Sequence, residues 1–247
     1  PSVGKLGYPE IFKKSQVAED QQPAISVDEL LASQEQVLKE TLKRLSLLSQ
    51  DDKEFVFKSM IDEVDKGWAV EISQDEIDRA SAIFFPRFTA VRKAWVNDWD
   101  FKVKLRAIDD GKANRVNEAV LVVTPIKLPT VGTYAEVLRR FKREALRKKY
   151  KGKVISAKAD HKAAYRQLKS SSRLQRLITI QDPESGKIRY FAAGRLLFGE
   201  VPSVLGYNAF SVSLCKALRK RFGIPIMSYF DDFIFPAMLT GDFPDAR

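Results

Sequence analysis

Two carboxylates stand side by side at Asp231 and Asp232, between the apolar, aromatic-rich runs 226–230 and 233–235. That pattern predicts a β-hairpin whose tight turn carries the acids. Neighbouring like charges in apolar surroundings either take up a proton or hold a cation, and Mg²⁺ prefers carboxylate oxygen. A further acid, Asp160, ends the short strand predicted over residues 154–160. Carboxylates at the ends of two strands form a candidate divalent-metal site.

Three ordered stretches carry a resemblance. Asp160 is followed by Lys162, Ala164, Tyr165 and Arg166; then come Phe198, Gly199, Pro202, Ser203, Asn208 and Phe210; Tyr229, Phe230, Asp231 and Asp232 complete the set. In order and spacing they resemble the palm motifs of reverse transcriptases, across roughly residues 55–240. The Phe-Gly-x-x-Pro-Ser wording is similar to retrotransposon enzymes of the tyrosine-recombinase or dinoflagellate type. The segment from Lys104 to Asn117 resembles the fingers of the same family.

The resemblance implies an α+β right-hand polymerase with palm and fingers, its antiparallel palm sheet backed by helices. It implies an RNA-directed DNA polymerase acting on an RNA or DNA template-primer and deoxynucleoside triphosphates. In that reaction a primer 3′ hydroxyl attacks an α-phosphate in line, and two Mg²⁺ ions (or Mn²⁺) about 4 Å apart stabilise the attacking and leaving oxygens. Carried over by motif, Asp160 and Asp231 bridge both ions, Asp232 is a third ligand, and His161 offers its backbone carbonyl. The ring of this lone histidine reads as structural. Arg106, seconded by Lys104, would hold the triphosphate. Tyr165 would close against the sugar 2′ carbon and exclude a ribose hydroxyl by bulk, which disfavours an RNA-templated RNA polymerase. Gly199 would let backbone approach the template or the base. The family's Leu-Pro-x-Gly is here Leu-Phe-Gly, with no Gln near it. Only residues 236–247 follow Phe235, so the resemblance implies a palm cut short of the thumb, and no RNase H or integrase segment is read.

Composition agrees with a polyanionic partner. The net charge of +10 favours nucleic acid, and 45% hydrophobic residues exclude a disordered chain. One cysteine and one histidine exclude a disulfide and a Cys- or His-rich zinc site. No run is long and apolar enough for a bilayer, and the start lacks a signal-peptide pattern, so no membrane partner is expected and the setting is expected to be intracellular, nuclear or cytoplasmic.

The positioning elements follow from periodicity. Residues 1–24 read as a flexible arm, and 25–83 as N-terminal helices. The first starts at a Ser26–Glu29 capping box and carries Val37, Leu38, Leu42, Leu45 and Leu48 as a core-facing stripe; the second covers 51–66; a short third runs from a Ser73–Glu76 box to about Ala82. Residues 84–152 read as fingers with a basic helix. Strands over 87–96 and 102–108 flank a turn near Asn97 to Asp100, with Lys102, Lys104 and Arg106 on one face and Asp109, Asp110 and Gly111 beyond. The helix over 133–150 is read as capped by Thr133 and Glu136. Arg139, Arg140, Arg143, Arg147 and Lys148 crowd its polar face, offset by Glu144, a surface that would follow a phosphate backbone without reading bases. Residues 153–247 read as the palm: a hairpin around 182–186, a helix over 204–221 with Cys215 packed inside, and the aspartate hairpin. The alternative function is an incomplete or degenerate palm that binds nucleic acid without polymerising.

Overall fold

The computed structural model of the chain describes residues 22–95, 101–122, 126 and 128–239. Most of the expected arm, the turn expected near Asn97 to Asp100, the side chain of Lys102 and the last eight residues lie outside the described residues.

The helices open as their caps dictate. Helix α1 (Val27–Ala32) begins at the expected box, Ser26 accepting from the Glu29 N–H and Glu29 from the Ser26 N–H at 2.7 Å. The single long helix predicted from Ser26 breaks at Ser33, whose hydroxyl donates to the Leu30 carbonyl. Helix α2 (Gln34–Ser46) resumes and buries Val37, Leu38 and Leu45, while Leu48 falls past its end. Helix α3 (Gln50–Asp65) is capped by Ser49 and stopped at Gly67, whose φ of +64° suits glycine. The expected third helix does not form. Glu76 does accept from the Ser73 N–H, yet the box closes a single 3₁₀ turn, Gln74–Glu76. The β-branched and aromatic run that follows is drawn into a sheet instead.

That sheet has five strands. Strands β1 (Ala69–Ile72), β2 (Ala82–Trp95), β3 (Phe101–Asp109), β5 (Gln175–Gln181) and β6 (Ile188–Ala193) lie in the order β1-β6-β5-β2-β3. Strand β1 has no counterpart in the sequence reading. Strand β2 changes partner along its length: 82–86 pair parallel with β5, and 87–95 pair antiparallel with β3. Its first half is buried on both faces. Ile83 and Phe85 pack with Leu30, Val56 and Met60, while Phe84 packs with Leu38, Ile77 and Tyr190. The loop between β5 and β6 is the expected hairpin, Asp182 accepting from the Glu184 and Ser185 N–H groups.

The second sheet is antiparallel, with β4 (Lys153–Asp160), β8 (Asp232–Leu239) and β7 (Met227–Tyr229) in the order β4-β8-β7. Helix α5 (Val201–Phe222) covers one face, where Leu214, Cys215 and Leu218 meet Ile226, Phe233 and Phe235. Helix α4 (Val131–Arg147) lies against β8 and is tied to β4 by the Tyr134 hydroxyl on Ser156, 2.7 Å away. Its cap is Thr130 with Thr133, one turn earlier than expected, which leaves Glu136 on the polar face.

The described residues therefore form a mixed α and β fold compatible with the α+β class, in two compact units: 22–122 with 165–204, and 126–164 with 205–239. No described helix is long and apolar enough to cross a membrane.

In the first unit the Asp109–Gly111 turn and the loop at Gly199 meet backbone to backbone. A Cβ on Gly199, at φ +96°, would lie 2.4 Å from the Asp109 carbonyl oxygen, and one on Gly111 would lie 2.6 Å from that of Gly199. Replacing Gly199 by Ala should therefore destabilise the chain by about 2–4 kcal/mol, through strain and overlap together. Urea unfolding of the variant beside Gly67→Ala, whose site is open, checks this; equal losses for the two would refute it.

Candidate functional site

The acids are brought together by backbone pairing. Asp160, last residue of β4, is the cross-strand partner of Asp232, first residue of β8, which in turn pairs with Tyr229. Directly opposed residues share a face, so both carboxylates and the Tyr229 ring project from the same side of the sheet. Asp231 occupies the two-residue turn, and its carbonyl accepts the His161 N–H at 3.0 Å, clamping the end of β4 to the turn. The other turn residue, Phe230, has φ +53°, a left-handed conformation that costs a non-glycine residue about 1–2 kcal/mol. Pairing on both sides holds it there, and such strain collects at functional sites.

His161 sits under this clamp with a structural ring. Its Nδ1 lies 2.8 Å from the Tyr207 hydroxyl, among Tyr207, Phe210 and Phe233. Tyr207 is fully buried, and the apolar stripe of its helix gives no sign of it, because its partner lies on another segment.

Like charges placed opposite each other on a sheet repel, and the structure relieves this with a lysine. Lys158 Nζ lies 2.8 Å from Asp232 Oδ2. The hydrogen bond to Asp232 raises the Lys158 pKa; slight burial opposes it, and the charges of Asp232, Asp160 and Asp231 add to it. The donors suit a hard divalent cation: three carboxylates at one end of a sheet, plus main-chain oxygen beside them. Among the described residues no three carboxylate, imidazole or thiol groups already converge on one point. Beside the acids an apolar cleft of about 550 Å³ is lined by Leu128, Pro129, Val131, Tyr134, Met227, Tyr229 and Ile234, which does not suit phosphate.

The remaining nucleotide-side candidates belong to the other unit. Lys104 and Arg106 are exposed, two residues apart on β3, across from Arg92 and Ala90. Asp109 and Asp110 do not extend that surface. Asp110 pairs with Arg44 at 3.2 Å and accepts from the Lys112 and Ala113 N–H groups. Asp109 is buried, accepting from Arg87 Nε at 2.7 Å and Arg166 at 2.6 Å. Glu63 completes a neutral quartet, 3.1 Å from Arg87 and 3.2 Å from Arg166. Tyr165, adjacent to Arg166, is 8% exposed and packs edge-on to Phe198 with ring centroids 4.8 Å apart. Gly199 follows directly. The room it leaves is filled by the chain's own Asp109–Gly111 backbone, and Asn117 brackets it, donating to the Gly199 carbonyl and accepting from the Val201 N–H. A second buried pair, Arg176 with Glu200 at 3.0 Å, lies nearby, Ser203 also donating to Glu200.

On α4 the five predicted cations are exposed, but not uncompensated. Glu136 faces Arg139, Arg140 and Arg143, and Glu144 holds Arg147 and Lys148.

Burial alone would push the Asp109 carboxyl up; the charges of Arg87 and Arg166, and hydrogen bonds from both, outweigh it and hold the carboxyl below the usual aspartate value. A depressed folded pKa means that this stabilisation is fully present above the unfolded value, near 3.8, and is lost as pH falls through the folded value. Asp109→Asn should cost about 3–5 kcal/mol at neutral pH, because it strands a buried guanidinium. It should also flatten the decline of stability below about pH 4. Denaturation midpoints across pH 2.5–7 test both; a wild-type slope in the variant would show that another acid carries the effect.

Compared with known proteins, the chain matches no protein-family model and no curated protein.

Proposed function

We propose that the chain is the fingers and palm of a retroelement reverse transcriptase and performs template-directed nucleotidyl transfer. The observation that carries this reading is the pairing of Asp160 with Asp232, with Asp231 clamped beside them through the His161 N–H. It gathers acids from segments far apart in the chain at one sheet end, an arrangement with no benefit to stability and a clear use in holding cations.

In this reading Asp160 and Asp231 would hold two Mg²⁺ ions, or Mn²⁺, with Asp232 and the His161 carbonyl as further ligands. Such ions lower the pKa of the attacking hydroxyl and offset charge on the leaving oxygens. The chain's own residues bind and select. Arg106 presents a planar fork to the triphosphate and Lys104 a point charge. Tyr165, held edge-on to Phe198, presents a ring with little freedom to yield, which suits it to reject a 2′ hydroxyl. Gly199 acts at one remove, by fixing the loop that carries Phe198. The exposed cations of α4 follow a template-primer backbone without reading sequence.

A second reading, a palm that binds nucleic acid without polymerising, is favoured by the Lys158–Asp232 pair and by the absence, among the described residues, of a closed three-group metal cluster.

Primer extension on an RNA template separates the two. Extension with deoxynucleotides is expected, falling at least a hundredfold in Asp231→Ala, since ion-mediated charge stabilisation is worth several kcal/mol. Tyr165→Ala should raise ribonucleotide use relative to deoxynucleotides by about tenfold or more. Template binding without extension, unchanged in Asp231→Ala, would establish the second reading. In either case log affinity should fall linearly with log salt, and Arg143→Ala and Arg147→Ala should each lower the slope by about one. An unaltered slope would remove α4 from the interface.

A further inference from the structure

Lys158 and Asp160 stand two residues apart on β4, hence on one face, and the Asp232 carboxylate beyond them takes the lysine as its partner at 2.8 Å. The pairing is diagonal. The residue directly across from Lys158 is Ile234, which offers no polar atom, and beyond it on β7 stands Met227. A four-carbon stem can span the diagonal step of about 7–8 Å between strands, so the ammonium reaches toward the acids. Its side chain is 60% exposed, so it can swing away without a cavity opening. One positive charge against three carboxylates leaves the cluster still attractive to a cation, yet occupies an oxygen that a metal would need.

We propose that Lys158 is an internal counter-ion that occupies the acid cluster and must be displaced when a divalent ion binds, so that it sets how much ion the chain needs. This rests on the reading of Asp160, Asp231 and Asp232 as ion ligands. Lys158 holds Asp232 in the ion-free chain and relieves the repulsion between Asp160 and Asp232; an arriving ion exchanges that single charge for two. The lysine lowers divalent affinity and limits premature loading.

Mn²⁺ alone, titrated calorimetrically into the full chain, tests this without reference to activity. Lys158→Met and Lys158→Gln should each bind Mn²⁺ about tenfold more tightly than wild type, the salt-screened repulsion in water between one unit charge and a divalent ion. Lys158→Arg, which keeps the charge, should stay near wild type, and Asp231→Asn should bind weakly. Tightening cannot arise from misfolding, which would weaken the site. Unchanged or weaker binding in the Met and Gln variants, with Asp231→Asn still impaired, overturns the role of Lys158 and leaves the ion site standing. No Mn²⁺ binding in any form overturns both.

Discussion

A guanidinium buried to 1% exposure cannot shed its proton, so whatever surrounds Arg87 has to answer its charge. Two acids do so, Glu63 on α3 and Asp109 at the end of β3, and Arg166 enters as a second cation that shares them and balances the second negative charge. Arg87 is also where β2 leaves β5 and takes up β3, and its cross-strand partner is Asp109 itself. The quartet therefore fixes the point at which an exposed two-stranded ribbon, bearing Lys104 and Arg106, departs from a buried sheet. Desolvating four charges gives little net stability even when they balance. What the arrangement supplies is definition, since a shift of any member would leave a buried charge uncompensated.

That definition extends to the residues read as touching nucleotide. Arg166 anchors the 3₁₀ turn Ala164–Gln167, so Tyr165 is carried on a segment held by charge and not by apolar packing alone. Asp109 contributes twice, by its carboxylate to Arg166 and by its carbonyl against Gly199. Phe198 precedes Gly199 and meets the Tyr165 ring. One buried aspartate thus constrains both partners of the aromatic contact. The acid-bearing sheet does the opposite: Asp160 is exposed and Asp231 and Asp232 half-buried at the hairpin end, where register sets their spacing and strain at Phe230 is tolerated.

Elements with a local cause were legible in the sequence. The Ser26–Glu29 box, the Asp182 hairpin and the strand ending at Asp160 follow from residues within a few positions of each other; the aspartate hairpin was legible too, but its turn takes Phe230 and Asp231, and Asp232, expected in the turn, opens the strand. Where a local signal competed with a distant one, the distant one won. The Ser73–Glu76 box forms its hydrogen bond but gains only a 3₁₀ turn, because the apolar residues 82–86 are worth more as a central strand against β5. Thr130 and Thr133 both qualify as caps, and the helix uses the earlier, whose hydroxyl accepts from the Thr133 N–H. The charged quartet was invisible: Glu63, Arg87, Asp109 and Arg166 lie on four segments, and ion pairs between segments leave no period. Asp109 read as part of an open phosphate surface only because its burial could not be seen.

The cations of α4 show why a count of charges overstates an electrostatic surface and yet does not invalidate it. Glu136 and Glu144 together engage all five predicted contacts, so no guanidinium on this face is uncompensated locally, while two carboxylates against five cations leave the face positive. These pairs are exposed and three to seven residues apart along one helix, a class worth a few tenths of a kcal/mol. Two oxygens of a phosphate group offer an arginine the bidentate geometry that Glu144 gives Arg147, and a polyanion offers counterion release in addition. The glutamates therefore hold the guanidinium groups in extended, ordered positions without competing strongly for them. A face that keeps a net positive charge after this pairing can turn its guanidinium groups to a backbone at little cost in broken pairs.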